Sequence, residues 1–173
     1  KTMKSIGPVL WYSLAGGEPF VRKDLEDIIQ DVQKICRPKV FSFPTNGWYT
    51  ERTFKTVLRT LQRLERGNLI LFFSLDGPQL IHDQIRGEGS FENLKNTLDR
   101  LLPLKNIYDN LYINFIMTVT PQNASIAPDF IKKITRDFKA DSISINLYRE
   151  HKPNAPKLPK DLIKAYEETI KSY

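Results

Sequence analysis

The 173-residue sequence contains one cysteine, Cys36, and two histidines, His82 and His151. A single thiol excludes an internal disulfide and a multi-cysteine metal site. The histidines stand far apart and no H-E-x-x-H spacing occurs, so the sequence offers no histidine-based zinc site. No run of about 18 apolar residues exists, which leaves nothing to span a membrane as a helix. Neither G-x-G-x-x-G nor GxxxxGK[ST] is present, and with them go two glycine turns that cradle phosphates. Repeats and low-complexity tracts are also missing. The opening "KTMKSIGPVLWYSLAGG" is basic and then apolar, but Pro8 and Ser13 interrupt it and it enters a glycine motif, so it does not read as a signal peptide. Without a secretion signal or disulfides, the expected setting is cytoplasmic.

The composition, 40% hydrophobic and 27% charged, is that of a globular domain with a real core. Part of the net charge of +6 lies on one helix face, where Arg52, Lys55, Arg59, Arg63 and Arg66 recur at steps of three and four. The opposite face carries Phe54, Val57, Leu58, Leu61 and Leu64, so the basic residues read as a solvated outer face. A patch for phosphates or an acidic partner is the alternative reading. No aromatics interleave the basic residues, and nucleic acid is not an expected partner. Cys36 falls in a predicted helix and reads as a small buried hydrophobe.

Periodicity divides the chain into strands and helices. The segments "PVLWYSL" (8–14), "KVFSFP" (39–44), "LILFFSL" (69–75), "LYINFIMTV" (111–119) and "SISINLY" (142–148) are β-branched, aromatic and nearly continuous in apolar residues. That is the pattern of parallel strands covered on both faces. Helical spacing marks Leu25, Ile28, Ile29, Val32 and Ile35, then the basic helix. It continues with Leu94, Leu98, Leu101 and Leu102 behind Ser90 as N-cap, and with Phe130, Ile131, Ile134 and Phe138. The proline-rich stretch 151–159 reads as a linker or ordered excursion before a last helix over 160–173. Five strand–helix units in a row predict the α/β class with right-handed crossovers, as an open doubly wound sheet or a partial barrel. Either architecture works at the C-terminal ends of its strands.

Those ends carry Gly16-Gly17-Glu18-Pro19, Thr45-Asn46-Gly47, Ser74-Leu75-Asp76-Gly77-Pro78, Thr118 to Asn123, and Asn146 to Glu150. Glycines let backbone approach a ligand closely. Pro19 biases Glu18 towards extended backbone and so fixes where its carboxylate points. A fixed carboxylate suits an ammonium group, while Thr45, Asn46 and Ser74 offer partners for a carboxylate or a ribose. Each motif alone is a common turn; three on successive strand ends predict a ligand site. His82-Asp83 reads as an exposed loop-capping pair, with catalysis as the alternative.

Together, "AGGEP" (15–19), "TNG" (45–47), "SLDGP" (74–78) and "HDQIRGEGSF" (82–91) resemble the radical S-adenosylmethionine (radical SAM) enzymes. The resemblance is closest to the branch of peptide- and protein-modifying maturases, sulfatase-maturing enzymes and the molybdenum-cofactor enzyme of similar core. It covers about residues 8–150 and implies that 1–150 is the core of a partial (β/α)6, TIM-like barrel, its five strands being the second to sixth of six. It also implies S-adenosylmethionine beside a 4Fe–4S cluster, reductive cleavage to a 5′-deoxyadenosyl radical, and hydrogen abstraction from a substrate such as a peptide or protein, with an electron donor for the cluster. Carried over by position, Gly16, Gly17 and Glu18 would receive the methionine ammonium and Pro19 would set the turn. Thr45 and Ser74 would hold the carboxylate or ribose, with Asn46 and Asp76 close by, and Leu147 would line the adenine pocket.

The sequence departs from that family at one point. The family holds its cluster on a CxxxCxxC loop, and no such run is here. A cluster needs several thiolates, so the chain alone is expected to be inactive. The expectation is that residues before Lys1 carry that loop. A cluster-free relative that binds a ligand or partner is the alternative, and a (β/α) lyase using Asp76 or Glu18 with a lysine is a third reading.

Overall fold

Alternate residues of "NLILFFS" differ in burial, and that alternation defines the layers. In the computed structural model, which describes residues 5–64, 66–148 and 159–172, this segment is strand β3 (Asn68–Ser74). Leu69, Leu71 and Phe73 are fully buried, whereas Ile70, Phe72 and Ser74 on the other face are half-buried. One face is therefore sealed and the other is more open, where the sequence predicts two covered faces.

Among the described residues the elements are β1 (Trp11–Ser13), α1 (Leu25–Ile35), β2 (Val40–Thr45), α2 (Thr50–Arg63), β3, α3 (Gln79–Arg86), α4 (Ser90–Leu101), β4 (Leu111–Val119), α5 (Ala127–Phe138), β5 (Ser142–Leu147) and α6 (Lys160–Ser172). Strand order follows the chain, β1-β2-β3-β4-β5, with parallel pairing. This is the predicted α/β class, consistent with part of a TIM-like barrel. Contacts divide it into two compact units: Lys1–Phe73 with Asn93–Ile113, and Ser74–Glu92 with Asn114–Tyr173. The predicted linker falls, except for Pro159, outside the described residues, as do Arg149, Glu150 and His151.

In the first unit Phe41 and Phe43 of β2 stand opposite Leu69 and Leu71 of β3. Phe43 touches Phe41 and Phe20 with ring centroids 4.8 Å and 6.0 Å apart, and all three rings are fully buried. Burying each such ring stabilises the fold by about 1.5–3 kcal/mol. Helix α1 adds Leu25, Ile29 and Val32. Helix α2 is rotated from its predicted face: it buries Thr53, Thr56, Val57, Thr60 and Leu61. Phe54 lies under the Arg100 guanidinium at 4.5 Å instead. Thr60 tolerates this burial by donating to the Thr56 carbonyl at 2.7 Å and Thr56 by donating to Glu26 Oε1 at 3.5 Å, whereas the buried Thr53 hydroxyl has no partner among the described residues.

In the second unit Phe115, Met117 and Val119 of β4 are fully buried, as are Ile131 and Ile134 of α5. Phe138 meets Phe115 at 5.8 Å and Phe91 at 6.2 Å. Two expectations are corrected. The first strand shrinks from 8–14 to three residues, with Trp11 56% exposed. Helix α3 is present where only a loop is predicted, between Pro78 and a Gly87 at φ +106°. Proline before and glycine after is the ordinary signature of a short helix.

Candidate functional site

The residues after β1 show how a carboxylate is fixed in space. Gly16 adopts φ +123°, and a Cβ there or at Gly17 would meet no atom within 4 Å, so both glycines face open space. Glu18 is extended (φ −67°, ψ 113°), as a residue before proline should be. Pro19–Val21 then forms a 3₁₀ turn that Glu18 caps. Glu18 Oε1 accepts from the Phe20 amide at 3.2 Å and from Thr45 Oγ1 at 3.0 Å. Its Oε2 accepts from the Asn46 amide at 2.7 Å. A carboxylate has roughly four acceptor positions; among the described residues three are taken and one, on Oε2, is not.

The TNG segment builds the support behind Glu18. Thr45 Oγ1 also accepts from the Gly47 amide at 3.1 Å, and Asn46 Oδ1 accepts from the Trp48 amide at 2.9 Å. The Gly47 carbonyl accepts from Thr97 Oγ1 at 2.6 Å, and Thr97 shares a 2.8 Å hydroxyl bond with Thr50. Arg52 donates to the carbonyls of Phe20 and Val21, 3.0 Å each, clamping the turn to α2. Arg59 pairs with Glu26, so these two members of the basic face have intramolecular work. Thr45 is buried, with its hydroxyl committed to Glu18 and Gly47.

Gly47 is tightly packed. It has φ +76°, and an added Cβ would lie 2.8 Å from Leu94 Cα, a backbone atom that cannot rotate away. Gly47→Ala is expected to destabilise by about 1–3 kcal/mol, read as a lower urea midpoint. Gly17→Ala, facing open space at a backbone φ that is not left-handed, should leave the midpoint within about 0.5 kcal/mol.

In the second unit Asp76 is 1% exposed, and both of its oxygens are taken. Oδ1 accepts from the Thr118 amide at 2.9 Å and Oδ2 from Arg86 Nε at 2.6 Å. Asn123, fully buried, donates to the carbonyls of Asp76 (2.8 Å) and Thr118 (2.9 Å), while its Oδ1 accepts from the Thr120 amide at 2.7 Å. One carboxamide thus ties the end of β3 to the end of β4. His82 is fully buried, not exposed: its Nδ1 accepts from the Asp76 amide at 3.2 Å and its ring lies 6.0 Å from Phe91. Burial and the nearby Arg86 push His82 down to about 4, outweighing the pull of Asp76 and Asp83.

Asp83 takes the capping role predicted for Ser90. Its Oδ1 accepts from the Phe91 amide at 2.8 Å and from Ser90 Oγ at 2.9 Å, and Ser90 is the first residue of α4. The Phe91 amide bond lowers the Asp83 pKa. Ser74 ends β3, half-buried. Leu147 ends β5, half-buried, opposite Val119. The structure therefore joins Glu18, Thr45 and Asn46, with Gly16, Gly17 and Pro19 beside them, in one network of the first unit. Ser74, Asp76 and Leu147 belong to the second. Sequence reasoning missed Arg52, Arg86, Thr97 and Asn123, which hold the loops. Among the described residues no cluster of His, Cys, Asp and Glu is placed to hold a metal, and no helix is long and apolar enough to cross a membrane. Cys36 is fully buried just after α1.

No family model matches this chain, and no curated protein is similar to it in sequence. A solved structure does match: hexahistidine-tagged anSMEcpe with bound AdoMet, an anaerobic sulfatase-maturing enzyme of the radical SAM class. The TM-score is 0.63 at 18% identity, over 90% of this chain. The two chains share a fold. The match spans 43% of that enzyme, so this chain corresponds to less than half of its length. A shared fold does not by itself carry a function; the site has to.

Proposed function

We propose that the protein containing this chain binds S-adenosylmethionine and is a radical SAM enzyme. The observation that supports this most is the Glu18 carboxylate, held by Phe20, Thr45 and Asn46 with one acceptor position left over, beside two glycines that face open space. A fixed carboxylate beside bare backbone is chemically suited to an amino-acid ammonium. The likeness of fold to an AdoMet-bound enzyme adds to that reading.

In this reading Gly16 and Gly17 bring backbone against the methionine end, Glu18 receives its ammonium, and Pro19 sets the turn. Thr45 and Asn46 hold Glu18. Ser74 meets the carboxylate or ribose, Asp76 holds the loop after β3, and Leu147 borders the adenine. Bound S-adenosylmethionine, once reduced by a 4Fe–4S cluster, would supply a radical able to take hydrogen from a carbon centre; this chain binds and orients it. The residues present do not fit the cluster, because Cys36 is the one thiol and is buried. The reading therefore needs cluster ligands other than these 173 residues, and an electron donor.

Calorimetric titration of S-adenosylmethionine into the full-length protein tests this. Binding is expected in the wild type and should weaken at least about tenfold, or about 1.4 kcal/mol, in Glu18→Gln. Equal affinity would refute the role given to Glu18. The lone buried Cys36 favours a second reading, a cluster-free module that binds the same ligand. Absorbance near the iron–sulfur bands after anaerobic reconstitution separates the two.

A further inference from the structure

Two members of the basic row on α2 are used by the fold, Arg52 on the carbonyls of Phe20 and Val21, and Arg59 on Glu26. The Arg63 guanidinium, at the end of the helix, has no partner among the described residues. It stands instead at a small cavity between α1 and α2, lined also by Glu26, Gln33, Thr56, Arg59 and Thr60. The cavity holds about 10 Å³, room for one water-sized atom. Gln33 Nε2 is buried without a hydrogen-bond partner. Such a donor is costly to leave unmet, so it asks for an acceptor. The two threonines do not call for the same acceptor, because Thr56 already donates to Glu26 and Thr60 to the Thr56 carbonyl. Two arginines against one glutamate leave the lining with one uncompensated positive charge.

We propose that this cavity seats one carboxylate. One oxygen fills it and accepts from Gln33, while the other meets the Arg63 guanidinium at the mouth. A guanidinium presents its N–H groups as a planar fork that matches a carboxylate. A water molecule would meet Gln33 but make no use of the charge. Chloride is larger than water and has no second atom with which to reach Arg63. A phosphate monoester carries more negative charge than the lining compensates. Glu26 is the one like charge a carboxylate would face in the lining, and Arg59 already neutralises it. Glu26 also borders a wider groove of about 450 Å³ with Tyr49, Arg52 and Lys55, which leaves space for whatever bears the carboxylate. A free organic acid and an Asp or Glu side chain of another protein present the same chemistry to the cavity.

The test follows the Gln33 carboxamide and Arg63 Nε–H resonances of the ¹⁵N-labelled full-length protein at constant ionic strength and neutral pH. It is titrated separately with sodium acetate, N-acetylaspartic acid α-methylamide, acetamide, sodium chloride and sodium methyl phosphate. Both resonances are expected to shift saturably with the two carboxylates and not with the other three. Acetamide is the decisive control, since it has the shape of acetate without its charge. Binding of the aspartate derivative at least about tenfold tighter than acetate assigns the seat to a protein side chain, and the reverse order to a free acid. Arg63→Gln should weaken acetate binding at least about tenfold, whereas Arg66→Gln, outside the lining, should leave it within about twofold. Resonances that ignore acetate would mean that the cavity holds only water and would overturn the proposal. So would equal shifts with acetamide, chloride or methyl phosphate, or an equal loss in Arg66→Gln, which would leave only the general field of the basic row. None of these readouts involves S-adenosylmethionine, so they stand apart from the function proposed above.

Discussion

Asp76→Ala is expected to lower the unfolding free energy by about 3 kcal/mol. The carboxylate is almost completely buried and closes two contacts at once, Arg86 Nε at 2.6 Å and the Thr118 amide at 2.9 Å. Removing one partner of a buried ion pair typically costs about 3–5 kcal/mol, because the other charge stays behind uncompensated. Arg86 keeps 29% of its side chain in water, which places the effect at the lower end. Asp76→Asn separates the parts. Its carbonyl oxygen can still accept from Thr118, but its NH₂ group would confront the Arg86 guanidinium donor to donor, so an intermediate loss is expected. Urea midpoints with unchanged slopes would read both. A loss under about 1 kcal/mol for Asp76→Ala would mean that the Asn123 bridge alone holds the two strand ends together.

The same motif explains why the sequence was legible at the level of fold and less so at the level of contacts. Strand and helix periods depend on side-chain burial repeated over many residues, so β2 to β5 and their helices fall close to where periodicity puts them. Glu18 was legible because Gly-Gly-Glu-Pro constrains its own backbone. Arg52, Arg86 and Asn123 were not, since each acts between segments distant in sequence, and nothing local marks an arginine that donates to Phe20 and Val21 rather than to solvent. Helix ends were hidden for a related reason: Arg37 at φ +44° and Lys139 at φ +51° follow α1 and α5 in the left-handed conformation, without the glycine that usually announces it. Helix α2 turned its threonines inward, where the Thr56 and Thr60 hydroxyls find acceptors, so hydrophobicity alone misplaced its buried face.

Both candidate loops use one device. A carboxylate that leaves a strand end accepts backbone amides from the next strand end: Glu18 from Asn46, Asp76 from Thr118. They differ in what remains available. Asp76 is sealed against Arg86, whereas Glu18 keeps a free acceptor position next to exposed glycines. Glu18 braces its own turn against the end of β2, and Asp76 holds the loop after β3 still.

The loop held by Asp76 also carries an acid sensitivity that belongs to His82. Its Nδ1 accepts from the Asp76 amide, so the proton of the neutral ring sits on Nε2. Protonation would turn Nδ1 into a donor facing another donor, inside a site where Arg86 already repels the charge. The folded-state pKa is about 4 against 6.5 in the unfolded chain, chiefly because burial disfavours the cation. Between those values the unfolded chain binds the extra proton, so stability rises with pH: complete above about pH 6.5, it declines as pH falls and is lost by about pH 4. The full span amounts to about 3 kcal/mol. Urea midpoints measured from about pH 7 to about pH 4.5 in the wild type and in His82→Gln would show it, since the variant retains every carboxylate that titrates in the same window. The difference between the two proteins should shrink steadily with acidity; a constant difference would mean that His82 is not the neutral, buried acceptor on which the Asp76 loop rests.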